Sequence, residues 1–152
     1  MAQFRFRLQT VLEQRERDER DQQMIVAAIE RDRLALESRI RNCQLQMDQE
    51  RRTLSQALGP GKSVDLSHVK MQAGAALNYH FDAQRTVLEL AGVFQKLKEA
   101  RELLAKAAAR KKAVELLREQ HLEAFNKEQS RRENNELDDM TVMRFRMKNE
   151  VA

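Results

Sequence analysis

One break interrupts a sequence that is otherwise built from good helix formers. Gly59, Pro60 and Gly61 are three of the five glycine and proline residues in the chain. Proline lacks the backbone N–H that a helix interior needs, and glycine adopts turn conformations at little cost. Long stretches of Leu, Ala, Glu, Gln, Lys and Arg flank this break, and only 5% of the residues are aromatic. The sequence therefore predicts an all-α chain of two long helices joined at this break.

The predicted architecture is one domain over residues 1–152. We expect helix one over about residues 3–58, a turn over residues 59–64 and helix two over about residues 65–145. Ser63 or Asp65 can cap the second helix by accepting amide hydrogens of its first turn. Because the connection is short, the two helices are expected to be antiparallel neighbours.

Apolar residues follow alternating spacings of four and three, the repeat that makes two helices coil around one another. The predicted seam of helix one comprises Leu8, Leu12, Arg15, Glu19, Gln22, Val26, Ile29, Arg33, Leu36, Ile40, Cys43, Met47, Glu50, Leu54 and Ala57. The predicted seam of helix two comprises Leu66, Val69, Ala73, Ala76, Ala83, Val87, Leu90, Phe94, Leu97, Leu104, Ala107, Val114 and Leu117. Stripes this narrow cannot form a globular core, so they predict an antiparallel coiled-coil hairpin.

The register follows if the turn centres on Pro60, since opposing residue numbers then sum to about 120. This register predicts Phe4 and Phe6 against residues 107–114, and Glu19 near Arg101. The N-terminal end of helix one then lies opposite about residue 116. About thirty residues of helix two, which are largely polar, are left without a partner helix and would face solvent or another protein's cavity. In the alternative register, residues 58–85 form a folded cap and the termini lie level.

The sequence offers no constellation for catalysis or for a cofactor. Cys43 is the only cysteine, so it has no disulfide partner, and we interpret it as a small apolar residue on the seam. His68, His80 and His121 are dispersed, without a second ligand at a metal spacing. No apolar run approaches the ~18 residues that suggest a membrane span. We expect a cytosolic protein that is not an enzyme, binds no metal and acts through partner proteins.

The net charge of +4 arises from residues 96–112, which hold seven basic and two acidic residues. We interpret this segment as a solvated face or as a surface for an acidic protein, because aromatic residues do not interleave with its charges. A nucleic-acid-binding coiled coil is the alternative, and a steep loss of binding between low and moderate salt would identify it.

Helix two carries more apolar surface than a two-stranded coil needs. Leu77, Phe81 and Leu88 form a stripe beside the predicted seam, with Tyr79 nearby. Such a stripe is a candidate docking patch for a partner. Contact with the connecting loop or with a second copy of the chain is the alternative.

Two segments, one near each end of the chain, carry distinctive residue patterns. The N-terminal segment is Phe4-Arg5-Phe6-Arg7-Leu8-Gln9-Thr10-Val11-Leu12, followed by a run of Arg, Glu, Asp and Gln. The C-terminal pattern comprises Lys111, Ala113, Val114, Glu115, Leu117, Phe125, Glu128, Arg131, Arg132, Glu133, Leu137, Asp138 and Asp139. Both segments resemble the family of the flagellar export protein FliJ. The length, the two long helices and the central turn also match, so the resemblance covers most of the chain.

This resemblance implies a cytoplasmic component of the flagellar type III export apparatus, peripheral at the inner face of the cell membrane. Members of the family are described as a stalk that enters the hexameric export ATPase FliI, contacts the export gate protein FlhA and handles export chaperones. The equivalent stalk of a virulence secretion system would share this architecture.

The candidate binding residues lie in three places along the chain. The ATPase-binding candidates are Phe4, Phe6, Arg131, Arg132, Glu133, Glu136, Asp138 and Asp139. The export-gate candidates are Ala73, Leu77, His80 and Phe81. Charges of both signs near the C-terminus suit weak and exchangeable contacts, whereas an apolar stripe suits docking on a second partner.

Overall fold

A computed structural model describes the backbone of residues 3–150 and the side chains of residues 3–147. Two helices account for nearly all of this range: α1 comprises Gln9–Ala57 and α2 comprises Leu66–Glu150. Residues 3–150 contain no strand. The helices pack against each other as an antiparallel coiled-coil hairpin, which confirms the predicted fold class.

Helix α1 begins later than predicted. Its first residue is Gln9, whose backbone N–H donates to the carbonyl oxygen of Phe6 at 3.2 Å. The non-helical residues 3–8 leave the Phe6 side chain only 9% exposed. Burying a phenylalanine contributes about 1.5–3 kcal/mol, which outweighs the small gain from one more turn at a fraying helix end. Helix α2 extends to Glu150, beyond the predicted end near residue 145.

The turn occupies residues 58–65 between the two helices. Gly61 has a φ of 80°, in the left-handed region that glycine adopts without a Cβ clash. The Asp65 side chain accepts the backbone N–H of Ser67 at 2.9 Å, so Asp65 caps α2, as one of the two predicted alternatives. The Lys62 ammonium donates to the carbonyl oxygen of Gln56 at 3.0 Å and satisfies the last turn of α1. Residues 66–85 belong to the continuous helix α2, so the alternative in which residues 58–85 form a separate folded cap is not formed.

The predicted seam of α1 is confirmed along nearly its whole length. Every position from Leu12 to Ala57 on that seam is buried or half-buried. Leu12 and Cys43 are each 5% exposed, whereas Leu8, which precedes the helix, is 37% exposed. The alternating four-and-three spacing therefore identified the face of α1 that packs on α2.

The seam of α2 differs from the prediction at alternate positions. At alternating spacings of three and four, its buried and half-buried residues are Val69, Gln72, Ala76, Tyr79, Ala83, Thr86, Leu90, Val93, Leu97, Ala100, Leu104, Ala107, Lys111 and Val114, and the predicted Leu117 is half-buried as well. Four predicted seam residues are exposed instead: Ala73, Leu66 at 79%, Val87 at 51% and Phe94 at 48%. At three of these positions the residue before the predicted one packs instead: Gln72 for Ala73, Thr86 for Val87 and Val93 for Phe94.

Thr86 shows why the polar neighbour is accepted. Its side chain is completely buried, and its hydroxyl donates to the carbonyl oxygen of Asp82 at 2.8 Å. A threonine that bonds to the preceding turn of its own helix leaves no unsatisfied donor in the seam. A small, satisfied residue therefore packs where the bulkier Val87 was predicted.

The chain consists of two compact units. The terminal unit comprises residues 1–19 and 106–152, and the turn unit comprises residues 20–105. In the terminal unit the ring of Phe4 packs on Phe125 with centroids 5.6 Å apart, and Phe6 packs on His121 at 5.8 Å. The predicted contact of these two phenylalanines with residues 107–114 is therefore wrong by about three helical turns.

The ion pairs lead to the same correction. Glu19 pairs with Lys111 at 2.6 Å in the terminal unit, whereas Arg101, its predicted neighbour, pairs with Glu30 in the turn unit. Part of the offset arises because the loop centres after Pro60. The rest places Glu19 opposite Lys111 and Glu30 opposite Arg101, which limits the cost of desolvating these two carboxylates.

Candidate functional site

A polar layer crosses the coiled coil in the turn unit. The guanidinium of Arg39 donates to both carboxylate oxygens of Asp82, at 3.2 and 2.5 Å. The thiol of Cys43 donates to the same carboxylate at 3.4 Å. Because these bonds join α1 to α2, they favour one register over its neighbours, which an apolar seam alone discriminates weakly.

The environment of this layer shifts the pKa values of Asp82 and Cys43. The pKa of Asp82 lies below its usual value because Arg39 hydrogen-bonds to the carboxylate. The pKa of Cys43 is raised by burial and then by its bond to Asp82, so the thiol stays protonated. Cys43 is thus the buried seam residue that the sequence predicted.

The Leu77 face, defined as Ala73, Leu77, His80 and Phe81, lies on one exposed side of α2. Leu77 is 52% exposed and Phe81 is 56% exposed, and the ring of His80 packs against Phe81 at 6.2 Å. The residues follow one another at spacings of four, three and one, so they share a helix face. All four export-gate candidates are therefore accessible together, and the connecting loop leaves them exposed.

Two neighbours of this face behave differently from each other. Leu88 is 75% exposed and extends the apolar stripe towards the C-terminus, as predicted. Tyr79 is half-buried on the α2 seam instead. The predicted surplus of apolar surface therefore exists, and it excludes Tyr79.

The distal α2 segment, defined as residues 126–147, is exposed at every position except the half-buried Gln129. It contains six of the ATPase-binding candidates: Arg131, Arg132, Glu133, Glu136, Asp138 and Asp139. Arg132 pairs within the helix with Glu128 at 3.1 Å. The segment begins about ten residues later than predicted, because the packing of α2 on the N-terminal residues extends to Phe125.

The two aromatic candidates are less accessible than the charged ones. Phe6 is buried against α2, and Phe4 is half-buried on Phe125. Phe6 therefore stabilises the end of the coil in the isolated chain, and it offers little surface to a partner. The six charged candidates share no such restriction.

An apolar end of α2 was missed by the sequence interpretation. Met140, Val142, Met143, Phe145 and Met147 are 50–69% exposed. The signal was available, since apolar residues occupy about every second position after Asp139 and almost none just before it. The ATPase-binding candidates named from the sequence end at Asp139, so they do not include this apolar end. Exposed methionines of this density are typical of adaptable binding surfaces.

Metal-binding clusters and membrane-spanning helices are both absent from the described residues. No group of three or more His, Cys, Asp or Glu side chains among them is placed to hold a metal ion. No helix within residues 3–150 is both long and apolar enough to cross a membrane.

Comparison with known proteins identifies the family. A family model described as "Flagellar FliJ protein" matches residues 4–150, which is nearly the whole chain. No curated protein matches the chain, and no solved structure does. The chain belongs to the flagellar FliJ protein family and is a component of flagellar type III protein export.

Proposed function

We propose that this protein is the stalk of the flagellar export ATPase, with the distal α2 segment entering the ring formed by FliI. The observation that supports this role is the exposure of residues 126–147 on every side of the helix. An α-helix without an intramolecular partner buries its surface only by binding something else. A ring that surrounds the helix contacts all of its faces, whereas a flat partner contacts only one.

The charges of the segment fit an exchangeable contact. Arg131 and Arg132 are followed by Glu133 and Glu136, so both signs lie within about two turns. Mixed charges steer association and set orientation more than they tighten binding. The stalk has no catalytic task in this proposal, and the ATPase supplies the nucleotide site.

The association itself is the first prediction. Purified full-length protein should co-sediment with the hexameric export ATPase and raise its rate of ATP hydrolysis, and both effects should weaken as salt is raised. Bovine serum albumin at the same concentration is the control for nonspecific stimulation. Absence of both association and stimulation at low salt would remove the support for a stalk role.

The second part of the proposal concerns the export gate. The Leu77 face is the proposed contact for FlhA, because four neighbouring residues expose apolar surface that the coiled coil does not use. Export chaperones are further proposed partners. These contacts would hold the protein at the cytoplasmic side of the cell membrane, through proteins rather than through lipid.

Changing Leu77 and Phe81 together to Ser should weaken binding to the cytoplasmic part of the gate protein by roughly tenfold or more, since two half-exposed apolar contacts are lost. The helical circular dichroism signal should stay almost intact, because both residues lie off the seam. Leu45→Ser is the matched control: Leu45 is 65% exposed and lies two residues from Cys43, on the outer side of α1. Normal gate binding by the double variant would make the face irrelevant, and unfolding would make it structural.

The flagellar system is favoured over a virulence secretion system by the family that matches. The two systems are separated by the same co-sedimentation experiment with each ATPase. Preferential association with a virulence ATPase would indicate that the protein is the stalk of a virulence secretion system instead.

A further inference from the structure

A groove follows one side of the turn unit, along the edge of the coiled-coil seam. On α2 it is marked by His80, Val87, Phe94 and Arg101, which recur every seven residues. A spacing of seven keeps residues on one side of a supercoiled helix, so the four side chains form a single row. Val87 and Phe94 in this row are about half exposed, at 51% and 48%.

The facing helix completes the groove. Arg33, Ile40 and Met47 also recur every seven residues, and they line the same two cavities. The cavities measure about 490 Å³ at the Met47 end and about 580 Å³ at the Arg33 end. Their α2 linings, residues 80–88 and 94–105, follow one another along the helix, so the two cavities together span about 38 Å at the rise of an α-helix.

The two ends of the groove differ in chemistry. The Met47 end is lined mainly by apolar side chains, including Leu88 at 75% exposure. The other end carries Arg33, Lys98 and Arg101 against the single acid Glu102. The occupant must therefore be apolar towards one end and acidic towards the other.

The cations at the basic end differ in how far they are already paired. Arg33 and Arg101 both bind Glu30, so their charge is largely compensated. Lys98 is exposed and makes no ion pair within residues 3–147. An incoming carboxylate is therefore expected to meet Lys98 first.

We propose that this groove receives an amphipathic α-helix of another protein, with acidic residues at the end that meets Lys98. A helix fits because Val87 and Phe94 repeat at the spacing of a coiled-coil seam, and apolar residues at every third or fourth position of a partner would pack on them. Ala91 and Ala105, each four residues after a member of the row, have small side chains that let a third helix approach. This inference does not depend on the ATPase or the gate.

The test uses the full-length protein and a labelled synthetic helix of about 18 residues, with Leu on one face and Glu concentrated at one end. A peptide of the same composition with Leu scattered around the helix is the control. Fluorescence anisotropy should show at least about tenfold tighter binding of the patterned peptide. Equal binding of the two peptides would overturn the proposal.

Variants locate the binding. Val87→Ser with Phe94→Ser should weaken the patterned peptide by about tenfold, and Lys98→Glu should weaken it by about threefold. Leu103→Ser is the matched control, because Leu103 is 52% exposed and lies two residues past Arg101, on the opposite side of α2. Unchanged binding by the double variant, or an equal loss in the Leu103 variant, would contradict the assignment to this groove.

Two other occupants are outcomes of the same experiment. If the wild type sediments as a dimer and the double variant as a monomer, the groove binds a second copy of this chain. A single-stranded oligonucleotide that bound the wild type and lost its binding in the Lys98 variant would give the basic end to nucleic acid. Either result would overturn the proposed helix. Circular dichroism melting of each variant shows whether the coil itself has changed.

Discussion

Replacing Leu36 with Asp is expected to destabilise the hairpin by roughly 2–4 kcal/mol. Leu36 is half-buried on the α1 seam, and an aspartate there removes apolar packing while it places an unpaired charge against α2. Ile40→Asp should have a similar effect, because Ile40 is the next seam position. Chemical denaturation followed by circular dichroism at 222 nm measures the change in unfolding free energy.

The control for this prediction is the same substitution at Leu34. Leu34 is 51% exposed and lies two residues from Leu36, so it points away from the seam. Its replacement by Asp should cost less than about 0.5 kcal/mol. Arg39 is a poorer control although its side chain is 50% exposed, because a carboxylate there would face Asp82 and remove the ion pair. Equal losses at Leu34 and Leu36 would show that the seam is misplaced.

The sequence predicted the α1 seam because that helix offers few alternatives. Between Val26 and Leu54 its four-and-three positions hold most of the large apolar residues, and every one of them packs. Helix α2 offers two overlapping patterns that share every second position. Choosing Val87 and Phe94 over Thr86 and Val93 gave the more apolar stripe, and the structure uses the other one.

The selection between these patterns depends on contacts that spacing does not encode. Thr86 is accepted on the seam because its hydroxyl bonds to its own helix, and Asp82 beside it is held by Arg39. The seven-residue repeat does not determine the register of the two helices either, because sliding one helix by seven residues restores the same pattern. Ion pairs such as Glu19 with Lys111 and Glu30 with Arg101 remove that ambiguity once the helices are placed together.

The candidate surfaces were predictable to different extents. The Leu77 face was recognised because a two-stranded coil has no use for a second apolar stripe. The groove beside it was missed, since its residues Val87 and Phe94 had been assigned to the seam. An error of one residue in the seam of α2 thus concealed a surface that the structure exposes.

Deleting residues 131–152 is expected to abolish both binding to the export ATPase and its stimulation. The physical reason is that the deletion removes all six charged ATPase-binding candidates together with the apolar end at Met140–Met147. The melting temperature should fall only slightly. The packing of Phe4 on Phe125 and of Phe6 on His121 lies before the cut, and residues 126–147 contribute almost no buried surface.

A shorter deletion of residues 140–152 separates the two halves of this segment. It keeps Arg131 to Asp139 and removes the exposed methionines and Phe145. If the mixed charges carry the contact, the shorter variant should retain most of the binding and lose the rest as salt rises. If the apolar end anchors the helix, the shorter variant should bind as poorly as the longer deletion, with little dependence on salt. A protein lacking residues 131–152 that still binds and stimulates the ATPase would move the site to the turn or to the paired helices.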